Sequence, residues 1–156
     1  VAVHLVRHAS AGTRHPGDGH DAERRLDARG RRQAEELADW LADAGVAWIA
    51  SSPARRCVET VVPLSERVGV EVVPRTELYE GTAVDQAWLL VVEAAALDGD
   101  AVLCSHGDVI PDLLRRAQLR GMEIPGRSGC AKGSCWTFSG WDGERFARGD
   151  YRPNPR

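Results

Sequence analysis

Short apolar runs alternate with amphipathic stretches along most of this chain, and that alternation limits the folds open to it. "VAVHLVR" (residues 1–7) is rich in β-branched residues and reads as a buried strand. "GTRHPGDGHDAERR" mixes Gly, Pro and charges without a period, so it reads as a loop. In "LDARGRRQAEELADWLADAG", Asp27 is placed to cap a helix with the stripe Ala34, Leu37, Ala38, Leu41 and Ala44, and Gly45 stops it. "VAWIA" is a second strand. In "SSPARRCVETVVPLSERVG", Ser52 is the expected N-cap, Pro53 the first helical residue, and Pro63 a point where the helix kinks or divides. "VEVVP" is a third strand, "TAVDQAWLLVVEAAALDG" a helix, "DAVLCS" a strand, and "HGDVIPDLLRRAQLRG" a turn followed by a helix. The tail "GSCWTFSGWDGERFARGDY" reads as a β-hairpin around Asp142-Gly143. Strands alternating with helices imply an α/β protein: a three-layer α/β/α sandwich on a mostly parallel central sheet.

At 156 residues the chain fits one domain with a sizeable core. Without a repeat, low-complexity tract or linker, residues 1–156 are read as a single domain, with "RPNPR" a loosely held tail. The first residue is Val1 rather than Met, which leaves open a trimmed chain or a domain of a longer one. A net charge of −3 argues against non-specific nucleic-acid binding, which needs a basic face. No apolar run reaches membrane-spanning length, and the first apolar stretch meets Arg7 too early for a signal peptide. Cys57, Cys104, Cys130 and Cys135 show neither paired zinc spacing nor a C-x-x-C motif, so reduced thiols in a cytoplasmic protein are expected. Lys132 is the only lysine among 20 basic residues. That bias fits genome composition, so most of the arginines need no functional account.

In open α/β sheets, ligands bind beyond the carboxyl ends of the strands. Here those ends carry Arg7-His8, then "SSPARR", then a loop leading to "ELYEG", then "SHGD". Two histidines, at least one arginine and a carboxylate therefore converge on one rim from four segments. The chemistry they suit is phosphoryl transfer. Arg offers a planar fork matching phosphate oxygens. The helix opening at "SHGD" favours an anion at its N-terminus. Imidazole is a competent nucleophile at neutral pH, and a second imidazole can donate to an oxygen as charge shifts. Gly107 permits close backbone approach.

These motifs resemble those of the histidine phosphatase superfamily, the phosphoglycerate-mutase-like fold. Its R-H-G signature stands here as Arg7-His8-Ala9. Its S-P-x-x-R-x-x-x-T segment runs from Ser52 to Thr60, and its S-H-G histidine is His106. "RRLDARGRRQA" is similar to its R-P-L-T-x-x-G-x-x-Q-A stretch. Within the superfamily the chain resembles the small SixA-type phosphohistidine phosphatases. Through "KGSCW" and "VIPDLL" it is closer still to the domain fused behind Nudix domains in actinobacterial oxidised-nucleotide hydrolases. No Nudix motif is present.

The resemblance implies a metal-independent phosphatase that needs no cofactor. Its substrate would be a phosphomonoester, a nucleotide or a protein phosphohistidine. His8 would be the nucleophile and form a phosphohistidine. Arg7 and Arg56, the latter rather than Arg55, would clamp the phosphate, and His106 would donate to it. Glu80 matches the general-acid position, with Glu77 an alternative; a Glu there favours an ester or a nucleotide. Ser10 lies close enough to His8 to touch phosphate. Arg24 and Lys132 are weaker candidates for a distal phosphate. Ala9 departs from the family's Gly. A non-catalytic phospho-ligand module and a mutase are the alternatives. His15, Asp18, His20 and Asp21 are read as a mobile rim loop rather than a metal site, His4 as a satisfied core residue, and "AKGS" as no Walker motif. Oligomeric state is left open by the five tryptophans.

Overall fold

A computed structural model describes residues 1–14 and 20–154, so His15 and Asp18 lie outside the described residues. The strands are β1 (Ala2–Arg7), β2 (Val46–Ser51), β3 (Val72–Pro74), β4 (Asp100–Ser105), β5 (Cys135–Ser139) and β6 (Arg148–Arg152). The helices are α1 (Ala28–Leu41), α2 (Arg55–Val68), α3 (Val84–Ala95) and α4 (Val109–Leu119), with 3-10 turns at Asp21–Glu23 and Thr76–Leu78. They build one six-stranded sheet in the order β3-β2-β4-β1-β5-β6. Its first four strands are parallel, and β5 and β6 add antiparallel pairings. The sheet is therefore mixed, with a parallel centre.

Alternation along the strands decides which helix meets which face. Val3, Leu5 and Leu103 pack with Leu90, Val91 and Leu113 of α3 and α4. Val6, Ile49 and Val102 pack with Leu37, Leu41, Val61 and Leu64 of α1 and α2. Two apolar cores thus lie on opposite faces, which is the expected three-layer arrangement. His4 is satisfied within it: Nδ1 meets Thr137 Oγ1 at 2.9 Å and Nε2 meets Asp100 Oδ2 at 2.8 Å. Among the described residues, no helix is long and apolar enough to cross a membrane.

Three local expectations are corrected. Ser52 does not cap α2; the cap position is Ala54 and the helix starts at Arg55. The Ser52 hydroxyl lies 2.8 Å from His106 Nε2 instead. Pro63 does not divide α2, whose residues Cys57, Thr60, Val61 and Leu64 stay buried on both sides of it. The β5–β6 connection is longer than a two-residue turn. Asp142 Oδ1 accepts from the Glu144 and Arg145 amides, and the segment folds back to set Trp141 against buried Phe146, the ring centroids 4.8 Å apart.

The stretch from Asp27 to Ala34 has a clear mechanical use. Asp27 caps α1 by accepting from Gly30 N at 2.8 Å. Its other oxygen accepts from Ser10 Oγ at 2.7 Å and Gly12 N at 3.0 Å. Gln33 Oε1 accepts from Ser10 N at 2.9 Å. The loop after β1 is thereby bolted to the start of α1, and Gly30 is where they touch: a Cβ there would overlap the Ser10 carbonyl. Gly30→Ala should therefore cost about 1–3 kcal/mol, as overpacking of backbone against backbone does. Thermal denaturation would show it as a Tm loss of about 2–4 °C per kcal/mol; an unchanged Tm would refute the contact.

Candidate active site

The chain leaving β1 turns to α1 on one face of the sheet and the chain leaving β4 turns to α4 on the other, so the carboxyl ends of these neighbouring parallel strands stay open between them. Arg7 pairs with Ser105 in register. One residue on, His8 N donates to Ser105 O at 3.0 Å, and Ser52 N donates to Cys104 O at 2.9 Å. His8, Ser52 and His106 therefore leave three adjacent strand ends together. The segment before β5 fixes the end of β1 from its other side. Gly133 N donates to the Arg7 and His8 carbonyls, and Arg7 N donates to Ser134 O.

A cavity of about 650 Å³ lies over these ends. Arg7, Arg14, Arg24, Arg56 and Lys132 line it, with His8, His106, Glu80 and Asp108. Five cations against two carboxylates make it an anion site by composition. Arg7 Nη1 donates to Cys130 O at 2.7 Å. Gly107 gives the guanidinium its room, since a Cβ there would stand 2.7 Å from Arg7 Cζ. Arg56 is 1% exposed. It donates through Nη1 to Asp21 O at 2.9 Å, and through Nη2 to Glu80 Oε1 and His106 Nδ1, each at 3.3 Å. Asp21 Oδ2 stands 3.4 Å from Nη2. Among the described residues, the buried side-chain donors without a hydrogen-bond partner are Arg7 Nε and Arg56 Nε, both on cavity-lining residues.

His8 is 5% exposed. Its Nδ1 lies 2.9 Å from Ala9 O, and a carbonyl only accepts, so the proton sits on Nδ1 and the lone pair on Nε2. Burial pushes the His8 pKa down to about 3; the Ala9 carbonyl opposes this, and Arg56, His106 and Arg7 reinforce it. The ring is neutral at physiological pH. Ala9 tolerates the family's glycine position because its backbone is not left-handed. Its amide donates to Thr60 Oγ1 at 2.9 Å, and its side chain packs with Ala11, Leu26 and Ala34.

Of the two acid candidates, Glu80 lines the cavity and also pairs with Arg14 at 3.5 Å. Glu77 does not line it; Arg75, 2.6 Å away, holds that carboxyl below the usual range. Ser10 is corrected: it is not among the lining residues, because its hydroxyl is committed to Asp27. Arg24 lines the cavity while donating to Ala11 O at 2.8 Å and pairing with Asp21. Burial, then Arg7 and Arg24, push the Lys132 amine down. Sequence reasoning missed Arg14, Asp108 and the supporting roles of Asp21 and Ser52. Asp21 stands in a 3-10 turn against Arg56, not apart from the site, and its only sequence signal was the i,i+3 spacing to Arg24. Asp108 Oδ2 accepts from Gly81 N at 2.7 Å, which ties the Glu80 loop to the His106 turn.

The His8 environment predicts a pH dependence. Unfolded imidazole takes up a proton near pH 6.5, whereas folded His8 does so only near pH 3. The unfolded state therefore binds more protons in that window, and stability falls as pH drops from 6.5 towards 3. Urea denaturation should lose up to about 1.4 kcal/mol per pH unit from this group. His8→Ala should make the dependence shallower between about pH 6.5 and 4.5, above the carboxylate range, leaving the share of His4, whose burial also lowers its pKa.

The sequence model described as "Histidine phosphatase superfamily (branch 1)" matches residues 3–86, more than half of the chain. An 8-oxo-(d)GTP phosphatase of Mycolicibacterium smegmatis is 35% identical over 157 residues, covering 98% of this chain and 48% of that protein. The chain thus spans about half the length of that relative. The protein histidine phosphatase SixA complexed with tungstate superposes with a TM-score of 0.76 at 15% identity, over 99% of this chain and 96% of that one. A mycobacterial glucosyl-3-phosphoglycerate phosphatase complexed with VO3 gives 0.71 at 22% identity, over 97% and 96%. These two likenesses show the shared fold. With the matched residues carrying the strand-end histidine and the buried Arg56, the chain belongs to branch 1 of the histidine phosphatase superfamily.

Proposed function

We propose that the chain is a metal-independent phosphatase acting through a phosphohistidine on His8. The observation that carries this is a neutral His8, bare at Nε2, in one cavity with two guanidinium groups whose buried Nε donors have no hydrogen-bond partner among the described residues. In the first step the Nε2 lone pair attacks phosphorus. The N–P bond forms as the P–O bond to the leaving group breaks, and Glu80 gives its proton to the departing oxygen. Arg7, Arg56 and His106 hold the remaining oxygens. In the second step water attacks phosphorus and gives a proton to Glu80. The N–P bond breaks, releasing inorganic phosphate and neutral His8. The charge is neutralised by arginines, so no metal is required.

The substrate class this reading favours is a phosphorylated small molecule, with a nucleotide foremost. Glu80 suits an ester whose leaving oxygen needs a proton. Arg14, Arg24 and Lys132 line the cavity beyond what one phosphoryl group needs, which fits a further phosphate. The similar 8-oxo-(d)GTP phosphatase and glucosyl-3-phosphoglycerate phosphatase, by their names, support this class over the phosphohistidine protein of SixA. The four free thiols fit the cytoplasm as the compartment.

Hydrolysis of p-nitrophenyl phosphate should fall to background in His8→Ala and be unchanged by EDTA in the wild type. Acid-labile phosphoenzyme should be trapped in the wild type and be absent in His8→Ala. Activity retained by the mutant would sink the mechanism; phosphate binding with no phosphoenzyme would mark a non-catalytic module instead. Glu80→Gln should lose about 10²–10⁴-fold on alkyl phosphates, the range of acid–base catalysis. It should lose much less on p-nitrophenyl phosphate, whose leaving group needs no proton. A panel of nucleotides, sugar phosphates and a phosphohistidine protein would rank the substrates.

A further inference from the structure

His106 sits between two partners that fix where its protons are. Arg56 can only donate, so His106 Nδ1, 3.3 Å from Nη2, must be the bare nitrogen. Its proton is then on Nε2 and is donated to Ser52 Oγ, 2.8 Å away. Ser52 is 0% exposed and His106 2%. The Ser52 backbone is held at both ends: its amide donates to Cys104 O and its carbonyl accepts from Ser51 Oγ. The hydroxyl oxygen is also held by the Ala54 amide, which donates to it at 3.3 Å. Cys57 Sγ, 3.5 Å from the same nitrogen, is a second acceptor for Nε2–H: burial raises its thiol, but hydrogen bonds with Cys104, His106 and Ser52 outweigh this and hold it below the usual range. Arg56 and Cys57 of α2, His8 after β1, and Tyr79 are the titratable or charged groups facing the ring.

An Nδ1 that accepts from Arg56 cannot also donate to a phosphoryl oxygen. We propose that oxyanion binding is coupled to uptake of one proton at His106 Nδ1, and that Ser52 is the positioning residue that makes this possible. The inference rests on the phosphatase reading. When the anion draws the Arg56 donor to itself, Nδ1 takes one proton from solvent and donates it to the anion. Nε2–H stays on Ser52 throughout, so the ring becomes an imidazolium held at both ends. One proton enters from buffer and none leaves.

The test uses tungstate, a dianion that does not titrate near pH 8. Calorimetry in buffers of different ionisation enthalpy should show uptake approaching one proton per tungstate bound. Affinity should weaken by about tenfold per pH unit where uptake is complete, as one-proton linkage requires. Imidazole ¹⁵N NMR should show His106 bare at Nδ1 when free and protonated on both nitrogens when bound. Ser52→Ala should reduce the uptake and mix the free tautomers, and Ser52→Thr, which keeps the hydroxyl, should restore both. Binding enthalpies independent of buffer, or a proton found on His8 instead, would overturn the proposal. So would full uptake in a folded Ser52→Ala; if that variant does not fold, the wild-type spectra decide. Failure of tungstate to bind at all would count against the phosphoryl site itself, which the His8→Ala hydrolysis assay tests separately.

Discussion

A guanidinium removed from water must be given acceptors, and Arg56 is almost wholly removed. Its acceptors come from three separate segments: Asp21 from the loop after β1, Glu80 from the loop before α3, and His106 from the turn after β4. Satisfying one buried cation therefore decides where three loops lie. Arg56 is itself held from behind, because Thr60 donates to its carbonyl at 2.7 Å while accepting from the Ala9 amide. The spacing from Ser52 through Arg56 to Thr60 is one mechanical unit. It ties the helix start to the His106 turn at one end and to the end of β1 at the other.

The cost of this arrangement is concentrated at one end of the sheet. Buried His8, Ser51, Ser52, Ser105 and His106 stand there, where apolar residues would give greater stability. His8 is held neutral against its ordinary tendency, and among the described residues two buried arginine donors lack acceptors. The apolar cores on the two faces of the sheet offset that cost. Fold stability and site chemistry are thus divided between the body of the strands and their carboxyl ends.

Much of this was legible because it depends on local pattern. β-Branched runs placed the strands, and Asp27 announced α1 by the cap it does form. What was misread had more than one partner available. Ser52 and Ser10 both carry hydroxyls suited to one role, a cap and a phosphate contact, yet each found a stronger partner across the fold in His106 and Asp27. Asp21 looked like part of a solvated loop because its partner, Arg56, lies far along the chain. The β5–β6 connection looked like a tight turn because burial of Phe146 against Trp88 and Phe138 is invisible to turn chemistry.

The sequence by itself determined the α/β architecture, the strand ends as the place for chemistry, and the identity of His8, Arg7, Arg56 and His106 as candidates. These follow from periodicity and from motifs carried on single elements. Only the tertiary structure decided which nitrogen of His8 and of His106 carries the proton, since that depends on the Ala9 carbonyl, Arg56 and Ser52. It also separated Glu80 from Glu77 and removed Ser10 from the cavity. A hydrogen bond is a matter of a few tenths of an ångström between groups distant in sequence. Residue type states what a side chain can donate or accept; packing alone selects the partner.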